Sequence, residues 1–183
     1  MALKEWAVVV WALGRGDQIL LLRKGGIAEE TGEFQVASKE FFLWPTYEHQ
    51  QSAMLQPSAA AAFHRLKPAG SSRAPLSLQY YAVITDTLPA PELLRMQEMK
   101  DAFVWNERFL EKRYAYKPER PLWVLLVRAY ALPAPVPIAD QDRYAGCRSW
   151  VELDSSIPTA GALPVLGEDE FQSRRESLLR RLE

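Results

Sequence analysis

The chain has 183 residues, 48% of them hydrophobic and 25% charged, a balance that builds a globular core and excludes a disordered or low-complexity chain. Its 22 Lys and Arg against 23 Asp and Glu leave a net charge of -1, so no global field draws it to nucleic acid or membrane and any basic site must be local. One cysteine, Cys147, excludes an internal disulfide, and with only His49 and His64 beside it a Cys/His structural zinc site is excluded as well.

A length of this order suits a single domain over 1–183, and the lone cysteine fits a reducing, cytoplasmic setting. The first apolar run, Trp6 to Leu13, is too short to span a bilayer and is followed by no cleavage-site pattern. Its valines favour a strand, although Leu3, Trp6, Val10 and Leu13 also stand at helical spacing. Gly14 to Asp17 then reads as a hairpin turn into a second strand, Gln18 to Arg23, closed by Gly25-Gly26. Phe34, Val36, Phe41 and Leu43 mark two short strands. Pro45 ends the second, and Thr46 is placed to cap a helix starting at Tyr47.

Residues 56–75, rich in Ala, Pro and Ser, predict a helix tail and a surface loop. Leu76 to Leu88 predicts a strand, and Pro91 to about Lys112 a charged helical region. Pro121 to Leu132 predicts the most interior strand, with proline stopping both long strands. Arg148 to Leu153 predicts a last short strand, and Gly167 to Leu182 an amphipathic closing helix with Phe171, Leu178, Leu179 and Leu182 on its apolar face. The expected fold is α/β (α+β): a mixed sheet flanked by helices.

Five stretches carry residues with chemistry. Arg23-Lys24-Gly25-Gly26 puts two cations beside glycines whose backbone N–H groups can approach an anion; the plain alternative is a charged strand end and a turn. The following Glu29-Glu30-Thr31-Gly32 imitates part of a Nudix box, but glycines stand where that box needs an Arg-Glu pair, so this activity is excluded. Thr46, His49 and Gln50 would set a hydroxyl, an imidazole and an amide at a helix start, with His49 a candidate general base or simply a surface residue.

Glu107 to Arg128 holds six basic residues against three acidic ones, interleaved with Tyr114, Tyr116 and Trp123. That mixture serves phosphate contact and base stacking, and equally a solvated helix face. Within it Arg113, Lys117 and Arg128 are binding candidates. Arg128 stands out, because a guanidinium in so apolar a strand needs a carboxylate partner or an anion-binding cleft; a cleft shared with Lys117 and the Arg23-Lys24 pair is the expectation. Finally, Cys147 beside Arg148 could be an activated thiol, but without an evident histidine partner it is expected to be buried and unreactive.

Leu3-Lys-Glu-Trp-Ala, Ile19 to Ile27, Pro45-Thr-Tyr-Glu-His-Gln50, Arg113 to Tyr130 and Gly146 to Val151 together resemble the bacterial family catalogued as domain of unknown function 1802, over residues 3 to about 153. The family carries no established activity. Members joined to restriction-type nuclease domains imply a connection with nucleic acid.

The function expected from these residues is binding of a phosphorylated small molecule or nucleic acid, with no cofactor and no metal, through Arg23, Lys24, Gly25, Gly26, Thr46, His49, Gln50, Arg113, Lys117 and Arg128. One alternative is a magnesium-dependent phosphodiesterase of restriction-endonuclease type, drawing on Glu29, Glu30, Glu33, Glu40 and Glu48 beside Lys24 and Lys39. Against it, Glu98-Met99-Lys100 supplies the only Glu-x-Lys after a candidate strand and falls in a predicted helix. The other alternative is a protein-interaction module using the many Trp and Tyr residues.

Overall fold

The computed structural model describes residues 1–24, 37–47, 49–66, 76–139, 141–144, 146 and 149–183. Strand β1 (Ala2–Trp6) runs directly into helix α1 (Ala7–Arg15), followed by β2 (Leu20–Lys24), β3 (Glu40–Thr46), α2 (Pro57–Leu66) and β4 (Leu76–Pro89). Then come α3 (Leu93–Glu98), α4 (Glu107–Ala115), β5 (Leu122–Ile138), β6 (Trp150–Val151), β7 (Leu163–Pro164) and α5 (Glu168–Leu182). The seven strands form one mixed sheet in the order β2-β5-β4-β3-β1-β6, with β7 added to β5. Among the described residues, only β1 and β3 pair in parallel. The α+β architecture agrees with the sequence.

Strand pleating sorts the apolar residues onto two faces. Leu3 of β1 and Phe41 and Leu43 of β3 face the main core, which also takes in α1, β2, β5 and α5. Ala2, Phe42 and Trp44, their alternating neighbours, join Leu78, Tyr144 and Val151 in a smaller cluster on the other face.

Residues 7–13 are helix, not the expected strand. Ala7, Val8, Val9, Val10, Ala12 and Leu13 are all buried, so tertiary burial on nearly every side overrides the β preference of three successive valines. Gly16 ends the helix at φ 73°, a left-handed cap whose N–H reaches Ala12 and Leu13 carbonyls. Gly14 admits the ring of Tyr80 where a Cβ would collide with it.

Two further expectations are corrected. β3 continues through Pro45 to Thr46, and no helix starts at Tyr47; a short 3-10 turn at Ser52–Met54 leads into α2 instead. Proline closes one of the long strands and not the other. β4 ends on Pro89 and β5 passes through Pro133, Pro135 and Pro137. At alternate positions these prolines turn their missing N–H groups to one side of the strand, which leaves the other side to pair with β4.

Polar side chains lock α4 in place. The buried Gln18 donates to Leu20 O at 2.7 Å and accepts from Val104 N at 3.0 Å. Asn106 caps α4 by accepting from Phe109 N at 3.1 Å and donates to Ala53 and Leu55 carbonyls. The expected Phe34–Val36 strand and the environment of Cys147 lie outside the described residues.

A basic cleft at the curled edge of the sheet

β1 and β2 stand four places apart in the sheet, yet Arg23 of β2 pairs with Glu5 of β1 at 2.8 Å and donates to Lys4 O at 3.3 Å. The sheet therefore curls until these strands meet. At that meeting lies a cleft of about 270 Å³, lined by Lys4, Glu5, Trp6, Leu22, Arg23, Thr46, His49, Trp105, Phe109, Arg113, Gly146 and Ser149. Parallel pairing of β1 and β3, with Trp6 opposite Thr46, brings both C-terminal strand ends to the same rim.

Three cations and one carboxylate line this cleft among the described residues. Glu5 is committed to Arg23; their side chains are only 9% and 14% exposed. Lys4 Nζ donates to the carbonyls of Tyr144 and Gly146 and stands 5.8 Å from the Trp44 ring, contacts that orient its charge without neutralising it. Burial, and then the positive charge of Arg23, pull the Arg113 guanidinium below its ordinary pKa, against the attraction of Glu5. Arg23 Nε, Arg113 Nε and the indole Nε1 of Trp105 are buried and donate to nothing. All three belong to residues that line the cleft, and each carries a desolvation cost in the unliganded fold.

The apolar wall is aromatic. Trp105 stacks on Phe109 with centroids 4.9 Å apart, and Trp6 meets Phe109 edge-on at 5.3 Å. His49 lines the rim with φ at 61°, a left-handed conformation uncommon outside glycine, although histidine adopts it more often than most residues.

Of the residues singled out from sequence, Arg23, Thr46, His49 and Arg113 share this cleft. Lys24 turns away: its Nζ donates to Tyr114 O at 2.7 Å near the end of α4, and burial, then Arg113, lower its pKa against the pull of Glu119. Gln50 accepts from Val8 N at 3.2 Å and so serves the start of α1, not a helix of its own. Thr46 Oγ1 donates to Glu5 O at 3.2 Å. Lys117 is exposed in a turn at φ 47°, 5.3 Å from the Tyr116 ring, and is not among the cleft residues. Gly25 and Gly26 lie outside the described residues.

The shared cleft expected for Arg128 is not formed. This residue bonds to Glu168 at the start of α5, with its guanidinium 5.5 Å from the Tyr130 ring and 5.4 Å from the Phe171 ring. The carboxylate-partner alternative describes it, and α5 supplies that carboxylate. Lys4, Glu5, Trp6, Trp105 and Phe109 are cleft residues that sequence reasoning did not select; the one signal was a charged pair and a Trp ending a strand beside an apolar helix.

Among the described residues, no group of three or more His, Cys, Asp or Glu side chains is placed to hold a metal ion. Glu29, Glu30, Glu33 and Glu48 lie outside them. No helix among the described residues is long and apolar enough to cross a membrane.

The family model described as "Domain of unknown function (DUF1802)" matches residues 2–177. The chain belongs to this family. The match takes in both the cleft and most of α5. No curated protein matches the chain. A crystal structure of a ZmASCH mutant protein from Zymomonas mobilis is similar over 97% of this chain and 94% of that one, with 12% sequence identity and a TM-score of 0.40, a likeness too distant to carry function.

Proposed function

We propose that this DUF1802 chain binds a phosphate-bearing ligand, a nucleotide or a nucleic-acid group, in the cleft between β1, β2 and α4. One observation carries the reading: among the described residues, Lys4, Arg23 and Arg113 converge there against one carboxylate, Glu5, which is already paired with Arg23. Positive charge of this density in a partly desolvated cleft attracts an anion more strongly than the same charges would in water. Arginine nitrogens suit the geometry of phosphate oxygens, and the half-buried rings of Trp6 and Phe109 line the same cleft.

The test is a calorimetric titration with pyrophosphate, adenosine monophosphate and a short single-stranded oligonucleotide at low and raised salt. Binding that weakens with salt and falls at least about tenfold in Arg113→Gln supports the reading. Absence of binding by all three, or binding indifferent to Arg113, refutes it.

A further inference from the structure

We infer that the cleft selects a phosphate monoester, the terminal phosphate of a nucleotide, over an internal phosphodiester; the inference rests on the phosphate-binding reading above. Lys4, Arg23 and Arg113 against Glu5 leave a surplus of two positive charges among the described lining residues. A monoester carries a charge of about -1.5 to -2 at neutral pH and a third strong acceptor oxygen, whereas a diester carries a single negative charge. The dianion therefore matches the surplus of the described lining, and a diester matches half of it. The repulsion between Arg23 and Arg113 shows where the unmatched charge would fall.

Size points the same way. The cleft holds about 270 Å³, below the roughly 300–1,000 Å³ of pockets that enclose drug-sized ligands. A cleft of that size suits one phosphate-bearing group better than a run of nucleotides.

The experiment compares adenosine monophosphate with its cyclic diester by calorimetry on the full chain. The pair shares its base, and ring closure removes one phosphate charge and one free phosphate oxygen together with the 3′-hydroxyl. The monoester is expected to bind at least about tenfold tighter near neutral pH, with the preference shrinking as the phosphate is titrated through its second pKa near 6. Arg113→Gln is expected to weaken the monoester more than the cyclic form, a split that loss of folded protein cannot produce. Equal affinity for the two, or a preference unchanged in acid, overturns the inference while leaving phosphate binding standing. Failure of both nucleotides and of pyrophosphate removes the underlying reading as well.

Discussion

Arg113 of α4 and Arg23 of β2 bring two guanidinium groups to one cleft, and among the described residues Arg23 is the one that holds a carboxylate there, Glu5 at 2.8 Å. The two arginines should therefore answer differently to mutation. Arg23→Gln leaves Glu5 buried without its partner and is expected to destabilise the fold by about 3 kcal/mol, in the range for breaking a buried pair. Arg113→Gln removes a desolvated charge that is repelled by its neighbour, so it is expected to leave stability within about 1 kcal/mol of wild type or raise it. Urea unfolding of both variants checks this; the opposite ranking would place the structural ion pair on Arg113.

Arg128 is expected to contribute to docking α5 and not to ligand binding. Its contacts with Glu168, Tyr130 and Phe171 tie β5 to the closing helix. Arg128→Leu should lower Tm while leaving the affinity for adenosine monophosphate unchanged. A variant with native Tm and lost binding would return Arg128 to the ligand site.

The same helix is fastened by Arg175 to Asp86 and by Arg181 to Asp101. Burial alone would raise the Asp86 carboxyl, but hydrogen bonds from Arg175 and Thr85 outweigh it and hold the group below the ordinary carboxylate range. At Asp101 the hydrogen bond from Arg181 does this against a smaller burial effect. Both carboxyls have depressed folded-state pKa values. Their stabilisation is therefore present above the unfolded value near 3.9 and is lost as pH falls through the folded value. Asp86 is largely shielded and Asp101 is mostly exposed. Arg175→Ala should accordingly cost about 1.5–3 kcal/mol at neutral pH, and Arg181→Ala under about 1 kcal/mol. Thermal unfolding near neutrality and at about pH 3 should show the Arg175 effect shrinking in acid; an effect independent of pH would mean packing, not charge, holds the helix.

His49 offers a test of strain at the cleft rim. At φ 61° a glycine relaxes the backbone and an alanine does not. His49→Gly should be more stable than His49→Ala by about 1 kcal/mol, both having lost the imidazole. Equal stabilities would remove strain from the account of the rim.

Legibility of the fold followed the physics of each element. Leu20–Lys24, Leu76–Pro89 and Glu168–Leu182 were readable because local pattern and burial agree there. The run Ala7–Leu13 was misread because a helix buried on nearly all sides has no polar face to reveal its period. Arg23, Thr46, His49 and Arg113, which share the cleft, could be picked out as candidates because they stand at or near the ends or turns of elements. Lys4, Glu5 and Trp6 could not, since they reach the cleft only when the sheet curls and brings β1 to β2. Arg128 was correctly seen to need a partner. Its partner lies 40 residues away on a helix whose docking is a tertiary event.

The most direct measurement follows the side-chain N–H resonances of Arg23, Arg113 and Trp105 by proton–nitrogen NMR while adenosine monophosphate is added. These three belong to residues that line the cleft, so they should shift together and saturate together, while Arg128, whose Nε is likewise buried without a partner, and Lys117 stay unmoved. Saturating binding that leaves those three resonances in place, or shifts centred on Arg128 or Lys117, would contradict the cleft as the phosphate site.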